Sequence, residues 1–233
     1  MRFQQTDSGL HQEPMIAGAI TGTASPVQWA EKPHNIDFYD IKSDVESILA
    51  LTGNADGFMF IADRHSALHP GQTAKIVRHI QLNQKDADNK SEETEEIGWL
   101  GALHPSISNQ LDLAQPVYLF ELKLAAVMQR AIPHFEETPK FPSIKRDLAI
   151  VVDEGVTAQA VSDCIQGTST AMLRNLKLFD VYQGKGIDSG RKSLAFSLTL
   201  QDHDRTLTDQ DVDVAIDEIL SALNRELGAT LRN

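Results

Sequence analysis

Residues 178–209 read LFDVYQGKGIDSGRKSLAFSLTLQDHDRTLTD, and this stretch decides how the second half of the chain folds. A strand ends in Asp180 and Tyr182. The basic, glycine-rich run GKGIDSG (184–190) follows, and then the alternating segment KSLAFSLTLQ. Glycines allow the backbone angles of a tight connection, so the run reads as a hairpin loop. It looks superficially like a phosphate loop. It lacks the G-x-x-x-x-G-K-[ST] spacing, however, and joins strand to strand instead of strand to helix. Thr208, with Asp211 three residues on, reads as the cap of a long helix.

Working outward, SIKRDLAIVV is a strand, and Thr157 caps a short helix that ends near Gly167. LRNLKLFDVY is a second strand and KSLAFSLTLQ a third. Val212, Ile216, Ile219, Leu220, Leu223 and Leu227 give the long helix one apolar side. Gly228 stops it, and ATLR is a short final strand. The order β-α-β-β-α-β is the ferredoxin-like arrangement, with two helices over one face of a four-stranded antiparallel sheet.

Strand side chains alternate between faces. Leu148, Ile150 and Val152 should therefore pack under the helices. So should Phe179 and Val181, and Leu194, Phe196, Leu198 and Leu200. The opposite face would carry Asp147, Ala149 and Val151, then Asp180 and Tyr182, then Ser193, Ala195, Ser197 and Thr199. Small and polar groups around one aromatic suit unpaired nucleotides, where a ring stacks a base and short groups bond to its edges. An ordinary solvent-facing sheet would show the same pattern, so alternation leaves both readings open.

The net charge of −12 argues against a general polyanion binder. Residues 1–139 hold 10 basic and 19 acidic side chains, and residues 140–233 hold 11 and 14. Arg174, Lys177, Lys185, Arg191 and Lys192 against Asp180 and Asp188 make residues 174–192 locally +3. A nucleic acid would dock at such a patch and not over a broad surface.

The first half reads differently. AIPHFEETPKFP (131–142), with three prolines, is an interdomain connector. DADNKSEETEE (86–96) reads as a mobile solvated loop. MIAGAI (15–20), GFMFIAD (57–63), AKIVRHIQL (74–82) and VYLFEL (117–122) read as strands. Ile41, Val45, Ile48 and Leu49 recur at helical spacing before Gly53. The expectation is a mixed α/β domain with a largely antiparallel sheet, in which Trp29 and Trp99 are packing residues.

No apolar run approaches a bilayer span, and MRFQQTDSGLHQEP is no secretory signal. A single cysteine, Cys164, fits a cytoplasmic location. No catalytic constellation emerges. His65 and His69 are four apart but lack the zinc-protease glutamate, and Pro70 and Gly71 break a helix, so no metal site is expected. Asp40 and Asp44 stand near a helix N-terminus, where carboxylates are favoured in any case.

At these residues the chain resembles a known family, the bacterial phenylalanine–tRNA ligase beta subunits. FPSIKRDLAIVV, LFDVYQGKGIDSGRKSLAFSLTLQ and RTLTDQDV resemble their C-terminal ferredoxin-fold anticodon-binding domain. MRF, GTASPVQW, DFYDIKSDVESIL, LHPGQTA, IGWLGALHP and VYLFEL resemble the catalytic-like domain of the same subunit. The resemblance implies an α+β chain. Residues 1–130 would be a class II synthetase-like domain without an active site, 131–139 a linker, and 140–233 the anticodon-binding domain. No ATP-binding arginine motif stands in residues 1–130, in agreement.

The family further implies an α2β2 enzyme that esterifies tRNA(Phe) using ATP and magnesium, with the active site on its alpha subunit. The chain would be a C-terminal portion that binds no cofactor itself. The implied anticodon contacts are Ala149 in RDLAI, Asp180 and Tyr182 in FDVY, and Ser193 in RKSLA. Arg232 is the candidate for a basic residue near the C-terminus. Arg191 and Lys192 are candidate phosphate partners. The alternatives are a stand-alone ferredoxin-fold RNA-binding module, and an independent enzyme using the acids near Asp37 and Asp40.

Overall fold

A proline-rich connector separates two hydrophobic patterns, and the computed structural model divides within it, into Met1–His134 and Phe135–Asn233. It describes residues 1–6, 9–26, 28–80, 93–132, 135, 139–168 and 172–232.

In the first unit, β1 (Arg2–Thr6) and β2 (Gly9–Glu13) form a two-stranded hairpin. Next come β3 (Met15–Thr21), α1 (Phe38–Ala50), β4 (Phe58–Ala62), β5 (Leu68–Ile80) and β6 (Glu93–Leu103). α2 (Pro105–Gln110), β7 (Val117–Lys123) and α3 (Leu124–Met128) complete it. The five-stranded sheet runs β3-β7-β6-β5-β4, every pair antiparallel. Its core joins Ile41, Val45 and Leu49 of α1 to Leu100, Phe120 and Leu122 of the sheet. A side chain at Gly98 would collide with the Glu121 carbonyl, so only glycine lets β6 and β7 approach so closely there.

Three expectations for this unit change. The acidic stretch 86–96 is not wholly a loop, because β6 begins at Glu93; the part before that lies outside the described residues. The expected strand 74–82 begins earlier, at Leu68, and its last two positions also lie outside them. Trp29 is 98% exposed, whereas Trp99 meets His65 at 5.1 Å between ring centres. Two apolar aromatics look alike in sequence, and only the fold assigns their neighbours.

The second unit contains β8 (Ile144–Asp153), α4 (Ala158–Thr168), β9 (Leu173–Tyr182), β10 (Arg191–Leu200), α5 (Asp209–Leu227) and β11 (Thr230–Leu231). Its antiparallel sheet runs β11-β8-β10-β9, the ferredoxin-like order. Thr157 Oγ accepts from the Ala160 amide at the start of α4. Gly228 ends α5 at φ 61°, a left-handed angle that suits glycine. Leu148, Ile150, Leu194, Phe196 and Leu198 pack with Val161, Ile165, Ile219 and Leu223 of the two helices.

One strand departs from its expected phase. Phe179 and Val181 are 53% and 56% exposed, while Leu176 and Leu178 pack into the core instead. For Phe179 the cause is a bulge, whereas Val181 stays opposite Leu194 on the helix side. Asp180 pairs with Ala195 and Leu178 with Phe196, which leaves Phe179 without an opposite number and inverts the alternation beyond it.

The start of α5 is held by an ion-paired cap. Asp211 accepts two bonds from Arg205, at 2.8 Å each, and others from the Thr208 amide and hydroxyl. The Arg205 fork first, and the Thr208 groups after it, hold the Asp211 carboxyl well below the usual carboxylate range. A carboxylate with a depressed folded pKa stabilises the fold above its unfolded pKa and loses that effect as pH falls. Asp211→Asn should therefore lower stability at neutral pH, and the gap to the wild type should close as pH drops below about 4. Urea unfolding across this pH range checks it; a gap independent of pH would remove the electrostatic account.

Candidate nucleic-acid interface

The far side of the second sheet gathers the candidate residues into two adjacent rows. Directly paired residues of neighbouring strands share a face. In one row, Tyr182 lies beside Ser193, Ser193 beside Val151, and Val151 beside Thr230. In the next, Asp180 lies beside Ala195, and Ala195 beside Ala149. Arg232 extends that row, since its amide donates to the Ala149 carbonyl at 2.9 Å.

Side-chain contacts tie the rows together. The Arg232 guanidinium sits over the Tyr182 ring, 5.0 Å from its centre, and its Nη1 lies 3.4 Å from Ser193 Oγ. Arg232 thus meets the face on which alternation places Ala149, Asp180, Tyr182 and Ser193. The pairing of β11 with β8 delivers it there. The face is less open than expected at its centre, where Ser193 is 1% exposed and Ala195 is buried. Ser193 Oγ faces Arg232. Asp180 is exposed and its carboxylate has no hydrogen-bond or ion-pair partner among the described residues.

The hairpin loop fixes the ring. Tyr182 donates its phenol hydrogen to the Lys185 carbonyl at 3.1 Å. Gly184 has φ 152°, and a side chain on it would press on the same phenol oxygen. The backbone angle favours glycine here, and any side chain would crowd the phenol oxygen. The ring is held at both ends, by the loop at its hydroxyl and by Arg232 over its face.

Arg191 and Lys192 are placed differently. Arg191 Nη2 donates to the Val151 carbonyl at 3.0 Å and the Gly228 carbonyl at 3.1 Å. Its buried Nε lies 3.3 Å from an Asp153 carboxylate oxygen without the alignment of a hydrogen bond. This side chain ties β10 to β8 and to the end of α5. Lys192 shares the parity of the helix-facing Leu194, and its Nζ donates to the Glu154 carbonyl at 2.8 Å. The hydrogen bonds of both cations go to the chain itself and not toward the Tyr182 ring.

Sequence alternation missed two members of this face. Past the bulge, Lys177 pairs with Ser197 and Asn175 with Thr199, so both turn to the side of Asp180. The available signal was the phase conflict in LKLFDV, where Leu176 and Leu178 set one alternation and Phe179 and Val181 the opposite one.

The other candidates have structural partners. Asp37 and Asp40 form a capping box at α1, with Asp37 accepting from the Tyr39 and Asp40 amides and Asp40 accepting from the Asp37 amide. His65 and His69 each accept a local amide through Nδ1, from Ala67 and Gly71. Cys164 is buried in α4, where burial first of all pushes its thiol up. Among the described residues no group of three or more His, Cys, Asp or Glu side chains could hold a metal ion. No helix among them is long and apolar enough to cross a membrane.

Two family models match the chain. One, described as a ferredoxin-fold anticodon binding domain, covers residues 139–232. The other, described as the phenylalanyl tRNA synthetase beta chain CLM domain, covers residues 1–124. Among curated proteins, the phenylalanine–tRNA ligase beta subunit of Pseudomonas fluorescens is 44% identical over 232 residues, all of this chain and 28% of the relative. That of Nitrosococcus oceani is 44% identical over 233 residues, again 28% of the relative. The Vibrio vulnificus protein is 40% identical over 227 residues, 97% of this chain and 27% of its own length. The chain thus spans a little over a quarter of the length of these relatives. With the beta chain CLM model matching more than half of its residues, the chain belongs to the phenylalanyl tRNA synthetase beta chain family.

Proposed function

We infer that residues 140–233 bind the anticodon loop of tRNA(Phe), as part of a phenylalanine–tRNA ligase. The observation that carries this reading is the coincidence of the anticodon-domain match with one sheet face bearing Ala149, Asp180, Tyr182, Ser193 and Arg232. Tyr182 stacks a base. Asp180, exposed and unpaired, accepts from the N1–H or amino group of a guanine. Ser193 bonds to base or sugar once Arg232 shifts, Ala149 leaves room for the ring, and the Arg232 guanidinium pairs with phosphate or stacks. Charge supports the orientation. α5 carries six acidic side chains and one basic one, which disfavours RNA on the helix side.

Residues 1–130 act as a class II synthetase-like domain without an active site, which packs against the alpha subunit of an α2β2 enzyme in the cytoplasm. The exposed Phe3, Leu10 and Trp29 are apolar surface of the kind a partner covers. ATP and magnesium serve the aminoacylation step on the alpha subunit. The acids nearest to a cation set in this unit, Asp37 and Asp40, are committed to the cap of α1.

The test is base discrimination. The chain is titrated with a fluorescent tRNA(Phe) anticodon stem–loop, and then with one whose first anticodon base is adenine instead of guanine. Adenine has no N1–H to offer Asp180. The guanine form should bind more tightly by about 1–3 kcal/mol, the worth of one specific base contact. Equal affinity for the two would remove the assigned role of Asp180.

A further inference from the structure

The bulge at Phe179 does more than expose a phenylalanine. It turns Lys177 and Asn175 onto the face of Asp180 and Tyr182, opposite Ser197 and Thr199. Across β10, Thr199 lies beside Lys145. Counting back from Asp180 without a bulge would have put Leu178 and Leu176 on this face and made it apolar. Instead it continues as a polar strip. Lys177, Asn175 and Lys145 are exposed, and Ser197 and Thr199 are half-buried. None of these five side chains has a hydrogen-bond or ion-pair partner among the described residues.

We propose that this strip is a second RNA subsite, which holds the nucleotide flanking the base stacked on Tyr182, with Lys177 neutralising its phosphate. The inference rests on the reading of the Tyr182 face as an RNA platform. Three observations select the occupant. The Ser197 row lies two residues along β10, about 7 Å, from the Ala195 row where Asp180 meets the edge of the stacked base, one nucleotide step of an extended single strand. Lys177 and Lys145 outweigh the neighbouring Asp147, within a chain of net charge −12. The row also lacks an aromatic, so it suits a backbone phosphate, a sugar or a base edge more than a second stack. Ser197 and Asn175 supply the short polar groups for those edges.

The experiment measures affinity for the tRNA(Phe) anticodon stem–loop against salt, using the full 233-residue chain. Lys177→Ala should lower the slope of log affinity against log salt by about 0.7, the value of one single-strand phosphate. Preference for guanine at the first anticodon position should stay as in the wild type. Lys177→Arg should restore the slope, which a merely structural role for the lysine would not predict. Lys177 is exposed, so the fold should survive both changes, as circular dichroism would show. A wild-type slope in Lys177→Ala, with Tyr182→Ala still weakening binding, overturns the subsite alone. If Tyr182→Ala is also silent, the RNA reading of the whole face falls, and this subsite with it.

Discussion

Phe196→Ala should cost about 3–5 kcal/mol of unfolding free energy in the second unit. Phe196 is fully buried in the middle of β10. It belongs to the cluster formed by Leu148, Ile150, Val161, Ile165, Ile219 and Leu223, so both helices and two strands share the space its ring fills. Truncation removes the transfer energy of the ring and leaves a void that a strand paired on both sides cannot close. The chain has two units, so a single global midpoint would mix their transitions. Hydrogen exchange of the β8 and β10 amides in urea isolates the relevant one. A loss below about 1 kcal/mol would mean that the site collapses freely, contrary to its packing. The effect reaches function through one residue of spacing. Ala195 and Ser197, on either side of Phe196, lie opposite Asp180 and Lys177, so loosening this strand would also blur the face of Asp180 and Tyr182.

Tyr182→Ala should weaken binding of the anticodon stem–loop by about 1–3 kcal/mol, the usual worth of one base stacked on an aromatic ring. Tyr182→Phe keeps the ring and loses only the bond to the Lys185 carbonyl, so most of the affinity should remain. Fluorescence anisotropy on both variants checks this. Unchanged affinity in the alanine variant would eliminate the stacking role. An equal loss in both variants would shift the effect to the hydroxyl and hence to the geometry of the hairpin loop. Arg232 sharpens the comparison, because removing the ring also removes the surface on which its guanidinium rests.

Much of the ferredoxin-like unit was legible from local chemistry. Thr208 and Asp211 announce the start of α5 because an N-terminal turn leaves amides for a hydroxyl and a carboxylate to satisfy. Gly228 announces its end because a left-handed residue costs glycine nothing. Leu194, Phe196, Leu198 and Leu200 announce a strand with one buried face because the side-chain period of a strand is two. The first unit was less legible. Helix α2, helix α3 and each strand of the β1–β2 hairpin are five or six residues long, too short for periodicity to stand out.

Local chemistry along the chain sets the order of elements in the second unit, its caps, its hairpin and the proximity of Asp180, Tyr182 and Ser193, since each depends on neighbours in sequence. Which other side chains share their face depends on the partner strands. A bulge exists only relative to the partner strand, one residue too many against β10, so Phe179 has no opposite number and Lys177 and Asn175 share the face of Asp180. The same holds for the cations. Arg191 and Lys192 stand in the most basic stretch, yet their hydrogen bonds go to carbonyls of Val151, Gly228 and Glu154, at least 37 positions away along the chain. Arg232, at the far end of the sequence, meets Tyr182 because β11 closes the sheet beside β8. Pairing across strands is a long-range property, and a pattern of period two carries no count of the residues on the other side.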